Sequence, residues 1–371
     1  MKRAVGLFTA FLLCATSTAL GAEKTTTLNV GDRAPDFNLP GVDGKKYSLK
    51  DFAKAKILAV VFTCNHCPTA QAYEERLKKL VSDYKGKGVA FVAISPNDPK
   101  AVRLDELGYT DLGDSFDEMK IRAQYKKFNF PYLYDGETQA VSLAYGPNAT
   151  PHVFIFDADR RLRFSGRIDD SEAEKSAKSF DTRNALDAML AGKIVSVERT
   201  RTFGCSIKWS DKRASVEEFM AKLAAEPVSL EPIKADAVAE LRKNPTDKLR
   251  LINFWASWCG PCATEFPELV TINRMYRNRA FEFIAISLDN SDQEKEALAF
   301  LKKHQASNKN YIFSETNKDK LADAIDKDWQ GAIPYTLLIR PGGEVVYKHV
   351  GAVNPLELKR EIVKQLGPRA K

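Results

Sequence analysis

Two pairs of cysteines, each separated by two residues, are the part of this sequence best suited to chemistry. Cys64 and Cys67 enclose an asparagine and a histidine, and Cys259 and Cys262 enclose a glycine and a proline. Each pair follows an apolar run and opens a predicted helix. Such a turn places the first cysteine at a helix N-terminus, where partial positive charge favours the thiolate that attacks disulfides. The spacing therefore predicts thiol–disulfide exchange at two sites.

The two halves of the chain repeat one order of elements. Each half has a buried strand, a cysteine pair, an amphipathic helix and a second strand that contains the residues Ala-Ile-Ser. The predicted strands cover residues 57–62, 89–95, 249–254 and 281–287. A strand, a helix and a second strand in this order predict a parallel pair joined by a right-handed crossover.

A second pattern also occurs in both halves. Pro151 and Pro334 each precede an apolar strand, a turn and a returning strand, which predicts a hairpin with proline at the strand start. Each half then ends in a predicted helix, at residues 171–190 and 355–366. The charged segment 210–227 between the halves is predicted to be a partly helical linker.

Composition and charge limit the possible functions. The chain has 371 residues, of which 44% are hydrophobic, so two folded domains are expected. Its formal net charge is +7 and is spread without a long basic run, which argues against nucleic-acid binding as the main activity.

Residues 1–22 read as a signal peptide, with a basic start, an apolar core and small residues near a cleavage site. A membrane anchor is the alternative, but the strictly apolar part ends near Ala15, short of the roughly 20 residues that span a bilayer. Export predicts the periplasm or another extracytoplasmic space, where disulfides persist. Without Cys14, five cysteines remain, so Cys205 is a candidate third redox cysteine; a buried, inert thiol is the alternative.

The second half resembles a thioredoxin of the exported TlpA/ResA type. The resemblance rests on Trp-Ala-Ser-Trp-Cys-Gly-Pro-Cys at residues 255–262, on Glu265 and on the hairpin that follows Pro334, and it covers residues 228–371. The first half, residues 28–209, resembles the AhpC/TSA-like redoxins through Gly-Asp-Arg-Ala-Pro-Asp-Phe at residues 31–37 and Phe-Thr-Cys-Asn-His-Cys-Pro at residues 62–68. The resemblance implies an α/β protein with two tandem thioredoxin-like folds, each a central mixed sheet flanked by helices, after a signal peptide.

The resemblance also implies roles for the cysteines. Cys64 and Cys259 would attack a substrate disulfide, and Cys67 and Cys262 would resolve the mixed disulfide. The redox-active groups would be the disulfides Cys64–Cys67 and Cys259–Cys262, with no other cofactor and no metal. His66 would stabilise the Cys64 thiolate, as a histidine at this position does in oxidising Dsb-type enzymes.

Further residues follow from the same resemblance. Pro151 and Pro334 would be cis-prolines that face the cysteine pairs, leaving the backbone of Thr150 and Ile333 to bind an extended substrate segment. Trp258 would belong to the same substrate-binding surface.

Proton transfer is expected to differ between the halves. In the second half, Asn253 stands six residues before the first cysteine, where thioredoxin has a buried aspartate. Glu265 would take over the proton transfer. In the first half, Leu58 stands six residues before Cys64 and cannot titrate.

The sequence thus predicts an exported thiol–disulfide oxidoreductase that acts on protein disulfides and dithiols. The family suggests apocytochrome c as a client and a membrane thiol-electron donor as the source of electrons. A thiol-dependent peroxidase is one alternative, because Cys67 is followed by Pro68 and Thr69 as in peroxiredoxins. A Sco-like copper chaperone that uses Cys64, Cys67 and His152 is another.

Overall fold

The computed structural model describes residues 26–368. The predicted signal peptide, with Cys14, lies outside these residues. Within residues 26–368, no helix has both the length and the apolar character that a membrane span requires.

The first half contains a five-stranded mixed sheet with strand order β5-β4-β3-β6-β7. Strands β3, β4 and β5 are parallel, and β6 and β7 are antiparallel to their neighbours. A two-stranded hairpin, β1 and β2, precedes this sheet. The elements are β1 (Asn38–Pro40), β2 (Lys46–Ser48), β3 (Ile57–Phe62), α1 (Pro68–Tyr84), β4 (Val89–Ser95), α2 (Phe116–Lys126), β5 (Tyr132–Tyr134), α3 (Ala140–Tyr145), β6 (His152–Phe156), β7 (Leu162–Gly166) and α4 (Asp181–Leu190).

The second half contains a six-stranded mixed sheet with strand order β13-β12-β9-β10-β11-β8. Strand β9 lies between parallel β10 and antiparallel β12, as β3 lies between β4 and β6 in the first half. The elements are α5 (Arg213–Ala224), β8 (Glu231–Ile233), α6 (Ala235–Lys243), β9 (Leu249–Trp255), α7 (Gly260–Tyr276), β10 (Phe281–Ser287), α8 (Glu294–Lys303), β11 (Lys309–Phe313), α9 (Asp319–Ile325), β12 (Tyr335–Ile339), β13 (Val345–Val350) and α10 (Pro355–Leu366).

The central strands of both sheets are buried on both faces. One apolar cluster fills each side of each sheet, which explains why the central strands are continuous apolar runs. The two halves are therefore thioredoxin-like domains, as the resemblance implied. The predicted cis-prolines are confirmed, since the peptide bonds before Pro151 and Pro334 are both cis.

The predicted helix at residues 171–190 is wrong in its first half, because α4 begins only at Asp181. The Arg76 guanidinium, paired with Asp169, donates hydrogen bonds to the carbonyl oxygens of Ser171 and Glu172 at 2.6 Å each. These two carbonyl groups point to a side chain rather than along a helix axis.

The two domains are in contact, and residues 104–111 of the first half form part of this contact. Leu104 and Leu107 pack against the apolar core of the second domain. Close by, Tyr276 donates a hydrogen bond to the Thr110 carbonyl at 2.7 Å, and the Arg360 guanidinium lies 3.0 Å from the Asp111 carboxylate. Most of the predicted linker is helix α5.

Candidate active sites

The second cysteine pair spans the first turn of helix α7. Cys259 is the N-cap residue of this helix and forms a disulfide with Cys262. The backbone N–H of Cys262 donates to Cys259 Sγ at 3.2 Å. Hydrogen bonding and the positive end of the helix dipole both favour a thiolate at Cys259 once the disulfide is reduced. The predicted position of the first cysteine at a helix N-terminus is therefore confirmed for this pair.

A buried carboxyl group lies behind this disulfide. Glu265 follows Cys262 by three residues on α7 and so lies on the same helix face. Its carboxylate accepts hydrogen bonds from Asn253 Nδ2 at 2.9 Å and from the Val353 N–H at 2.8 Å. Burial raises the pKa of Glu265 above its ordinary value despite these two donors. The side chain can therefore hold a proton closer to neutral pH than an exposed glutamate.

The first pair sits differently on its helix. Helix α1 begins at Pro68, and its N-cap residue is Cys67, the second cysteine of the pair. Cys64 lies in the loop before the helix. The prediction that Cys64 stands at the helix N-terminus is therefore wrong.

The strand register explains this shift. Phe62 pairs with Ile94 and His152, and Phe254 pairs with Ile286 and Tyr335, so the two phenylalanines are equivalent. Cys67 follows Phe62 by five residues, as Cys259 follows Phe254. Cys67 thus occupies the place of Cys259.

The shift of three residues also moves the other equivalences. Ala70 takes the place of Cys262, and its N–H donates to Cys67 Sγ at 3.4 Å. Val61 and Asn253 each stand one residue before the equivalent phenylalanines, Phe62 and Phe254, in the paired strands. Val61, rather than the predicted Leu58, is therefore the counterpart of Asn253. The place of Glu265 is taken by Tyr73.

The electrostatics of the first site favour a thiolate at Cys67. Burial alone would raise the pKa of Cys67, but hydrogen bonds from the Cys205 and Cys64 side chains and from Ala70, together with the nearby His66, bring it well below its ordinary value. Burial, the bond with Cys67 and the charge of Asp114 raise the pKa of Cys64. The positive charge of His66 thus contributes to the lowered pKa of Cys67, the cysteine at the helix N-terminus.

A buried ion pair holds the loop between the two cysteines. His66 Nδ1 lies 2.5 Å from Asp114 Oδ2, and the other carboxylate oxygen accepts the backbone N–H groups of Asn65 and His66 at 2.8 and 3.1 Å. Burial would lower the pKa of His66, but the Asp114 carboxylate raises it overall. Asn97 Nδ2 donates to the same carboxylate at 2.8 Å.

The second site has a simpler support in Asp289, whose carboxylate accepts the Ser257 N–H at 2.9 Å and the Ser257 hydroxyl at 2.7 Å. Sequence reasoning missed both Asp114 and Asp289. One signal was available, since Asn97 and Asp289 each stand two residues after the serine of the repeated Ala-Ile-Ser. Asp114 has no such signal, because it comes from a segment after β4 that has no counterpart in the repeated pattern.

The two cis-proline segments differ in what covers them. Ile333 is partly exposed, and Trp258, beside the disulfide, is 62% exposed. In the first domain Thr150 is buried, and its backbone forms an antiparallel bridge with Cys205. The Thr150 hydroxyl lies 3.2 Å from Cys64 Sγ.

The histidine of the predicted copper site is already engaged. His152 accepts the Asn148 N–H at Nδ1, 3.1 Å, and its Nε2 lies 2.9 Å from the Ser165 hydroxyl. Burial lowers the pKa of His152 to about 3. Neither ring nitrogen is available to a metal shared with the cysteines. Within residues 26–368, the side chains that do converge are Cys64, His66 and Asp114, whose ligand atoms lie within 4.8 Å of one another.

Comparison with known proteins identifies each half separately. The AhpC/TSA family model matches residues 30–165, and the Redoxin model matches residues 234–366. The first match confirms the AhpC/TSA-like resemblance of the first half.

Individual relatives carry names from two classes. The thiol-disulfide oxidoreductase ResA of Oceanobacillus iheyensis is 30% identical over 26% of this chain and 45% of its own length. A Mycobacterium tuberculosis protein named as a peroxiredoxin is 31% identical over 21% of this chain and 49% of its own length. The chain thus spans about half the length of these two relatives. An uncharacterised conserved protein of Geobacillus kaustophilus, of known structure, is 37% identical over 52% of this chain and 98% of its own, with a TM-score of 0.45. With two family models, two sheets of matching register and two cysteine pairs at the ends of equivalent strands, the chain belongs to the thioredoxin superfamily.

Proposed function

We propose that the protein is a thiol–disulfide oxidoreductase that exchanges disulfides with protein substrates outside the cytoplasm. The observation that carries this proposal is the Cys259–Cys262 disulfide, which spans the first turn of α7 and receives a helix N–H at Cys259 Sγ. Reduction of a disulfide in this position gives a stabilised thiolate at the helix N-terminus and a second thiol one helical turn away. That arrangement suits attack and resolution rather than structural cross-linking.

The exchange can be followed atom by atom. The reduced Cys259 thiolate attacks one sulfur of a client disulfide, and the client's other sulfur leaves as a thiolate. Cys262 then loses its proton and attacks Cys259 Sγ, which releases the client's second thiol and restores the disulfide. Glu265 supports this step, because a buried carboxyl group with a raised pKa can accept that proton near neutral pH.

The surface around this disulfide supports a protein as the substrate. Trp258 is 62% exposed and Val350 is 56% exposed, and Val350 pairs with Tyr335 directly after cis-Pro334. An extended peptide could pair with the backbone of Ile333 while its side chains contact these apolar groups. Apocytochrome c is the client that we propose from the resemblance to the TlpA/ResA type, with a membrane thiol-electron donor as the reductant.

The proposed location rests on the pattern of the first 22 residues. Residues 1–22 support export to the periplasm or an equivalent space. N-terminal sequencing of the protein from an extracytoplasmic fraction tests this point. A mature N-terminus between residues 20 and 23 is expected, and recovery of the uncleaved chain in the cytoplasm would refute it.

The activity is tested by reduction of insulin disulfides with the full chain and dithiothreitol. Cys259→Ser should lose most of the activity, whereas Cys67→Ser should retain most of it because the segment of Cys205 bridges to Thr150 and covers the first pair. Equal insulin reduction by Cys259→Ser and the unmodified chain would remove the proposed role of this site.

A second function, thiol-dependent peroxide reduction by the first domain, is favoured by one observation. Cys67 Sγ accepts the N–H groups of Ala70 and Cys205, each at 3.4 Å, in a site where its pKa lies well below the ordinary value. A thiolate held by hydrogen bonds is the nucleophile that attacks a peroxide. Peroxide consumption that is lost in Cys67→Ser but kept in Cys259→Ser would support this function, and no consumption by the full chain would exclude it.

A further inference from the structure

A segment of the chain itself, residues 203–207, covers the first active site. Its Cys205 forms an antiparallel bridge with Thr150, the residue before the cis-proline. The Thr150 N–H donates to the Cys205 carbonyl at 3.0 Å. This is the backbone position that the resemblance assigns to an extended substrate, so the segment lies where a client would lie.

The same segment brings a third sulfur to the buried pair. The Cys205 N–H donates to Cys67 Sγ at 3.4 Å, and the Cys205 side chain packs against the small cluster formed by Cys64, Cys67 and Ala70. A hydrogen bond from the Cys205 side chain also stabilises the Cys67 thiolate. Among the three cysteines, Cys67 is 0% and Cys64 3% exposed, whereas Cys205 is partly exposed.

The position of the segment is fixed on both sides of Cys205. Phe203 packs near Tyr73 of α1, with ring centroids 6.1 Å apart. Downstream, the Lys208 N–H donates to Asn97 Oδ1 at 2.9 Å.

A close approach at Gly204 completes this fit. A Cβ at Gly204 would lie 2.0 Å from the Thr150 carbonyl oxygen, and its φ of +139° disfavours any other residue. The segment can lie this close to Thr150 only because residue 204 is glycine.

We propose that Cys205 is a third redox cysteine of the first domain, which forms a disulfide with Cys67 and so carries oxidising equivalents between the buried pair and the solvent. This proposal rests on the proposed thiol–disulfide function. It assigns a route by which a site with two inaccessible sulfurs can exchange with an external partner.

A peroxide that reaches the buried site first oxidises the Cys64 and Cys67 thiols to a disulfide and is itself reduced to water or an alcohol. The steps that follow need no further oxidant. Starting from a Cys64–Cys67 disulfide, the Cys205 thiol loses its proton and attacks Cys67 Sγ. The Cys67–Cys205 bond forms, the Cys64–Cys67 bond breaks, and Cys64 leaves as a thiolate that takes up a proton. An external dithiol then attacks Cys205 Sγ and displaces Cys67 as a thiolate. The second thiol of that dithiol releases Cys205, so the external partner is oxidised and the first domain is reduced.

The test is a disulfide map of the full chain with Cys64→Ser, oxidised with diamide, blocked with N-ethylmaleimide and digested with trypsin. Cys67 then lies in peptide 57–76 and Cys205 in peptide 202–208, so their disulfide joins two separate peptides. We expect this cross-linked pair to be the main oxidised product of the first domain. Its absence, with Cys67 and Cys205 both recovered as blocked thiols, would overturn the proposal.

Two variants in the Cys64→Ser background control the geometry. Moving the thiol by one residue, with Cys205→Ser and Ser206→Cys, turns it to the opposite side of an extended segment. This variant should give at least about tenfold less cross-link than the parent under the same oxidation. Gly204→Ala should also reduce the yield, because the added methyl group meets the Thr150 carbonyl. An equal yield in all three chains would mean a non-specific disulfide and would also overturn the proposal.

Insulin reduction by the Cys259–Cys262 site, measured on the same preparations, reports on the proposed function separately. A cross-link without insulin reduction would leave the third cysteine standing and reject the proposed activity of the second domain. Insulin reduction without a cross-link would reject the third redox cysteine and leave the proposed activity of the second domain standing.

Discussion

Cys67 and Cys259 occupy equivalent places at the start of a helix, yet only Cys259 has its partner cysteine in the following helical turn. Cys262 lies on α7, whereas Cys64 lies in the loop that precedes α1. Counted from the cysteine at the helix N-terminus, the partner therefore lies three residues later in the second pair and three residues earlier in the first pair. The helix fixes which sulfur becomes the thiolate, and the spacing fixes only the distance to its partner.

The two sites also differ in how far the surrounding chain covers them. The second site opens to solvent at Trp258, which is 62% exposed, although Cys259 itself is only 6% exposed. The first site is closed, with a dithiol beneath the segment of Cys205 and a buried ion pair between His66 and Asp114. An open disulfide suits direct contact with large clients, and a closed dithiol suits small oxidants or an intermediary.

The largest expected effect is a difference in the free energy of unfolding between variants of Asp114 and Asp289, the carboxylates that support the two sites. Asp114→Asn leaves a buried His66 without its counter-ion and should cost about 3–5 kcal/mol of unfolding free energy. Asp289→Asn keeps a hydrogen-bonding amide at an uncharged site and should cost only about 1–3 kcal/mol. Urea unfolding of each full-length variant, followed by fluorescence and fitted for two domains, measures both. Equal costs would show that the charge of the His66 pair adds nothing.

The ion pair also predicts how this cost depends on pH. The pKa of Asp114 is lowered on folding, so its contribution is present above about pH 4 and is lost as the pH falls through the folded value. The pKa of His66 is raised, so its contribution is complete below about pH 6.5 and is lost as the pH rises through the folded value. The cost of Asp114→Asn should thus be greatest between about pH 4 and pH 6.5.

The next effect concerns access to the sulfurs. After reduction, iodoacetamide should modify Cys259 on the order of a hundredfold faster than Cys67, if exposure of Cys67 needs a local opening that costs about 3 kcal/mol. Quenched aliquots analysed by peptide mass spectrometry give both rates from one sample. In urea the two rates should converge. Comparable rates in the native protein would contradict the covered state of the first site.

The third effect tests proton transfer at the second site. Only this site has a carboxyl group, that of Glu265, at the position proposed to accept the proton. Glu265→Gln should slow insulin reduction at least about tenfold at pH 7 and remove the acid limb of the pH profile. Because burial raises the pKa of Glu265, that limb should lie above the ordinary glutamate value. Glu268→Gln, one turn further along α7, removes the same charge and should leave the profile unchanged. If the acid limb of the pH profile persisted in Glu265→Gln, a group other than Glu265 would be accepting the proton of Cys262.

The sequence predicted the strands better than it predicted the sites. Ile57–Phe62 and Phe281–Ser287 have the predicted bounds because a strand buried on both faces is a continuous apolar run. Helix α10 was also predicted correctly at Pro355–Leu366, where Asn354 caps a helix that begins with proline. The helix start at Asp181 was missed because a long-range contact with Arg76 determines it.

The position of the first cysteine pair was misread because the two pairs were aligned on their cysteines. Counting from Phe62 and Phe254, or from the repeated Ala-Ile-Ser, places Cys67 opposite Cys259 and would have given the correct helix start. The contact between Cys205 and Thr150 could not be read in this way. It joins residues 55 positions apart in sequence through an irregular segment, and no periodic pattern reports such a pairing.

The smallest effect tests whether the open site recognises proteins through its apolar surface. Trp258→Ala should raise the KM for insulin about fivefold, the equivalent of about 1 kcal/mol for an aromatic contact at an interface. The rate with a small disulfide such as 5,5′-dithiobis(2-nitrobenzoate) should change less than about twofold, because the chemistry at Cys259 does not need the indole ring. Phe180→Ala removes an aromatic group of similar exposure, 46%, from the first domain and should leave both values unchanged. If Trp258→Ala slowed the small disulfide as much as insulin, the indole would be supporting the Cys259 turn itself, and client contact would have to lie elsewhere on the second domain.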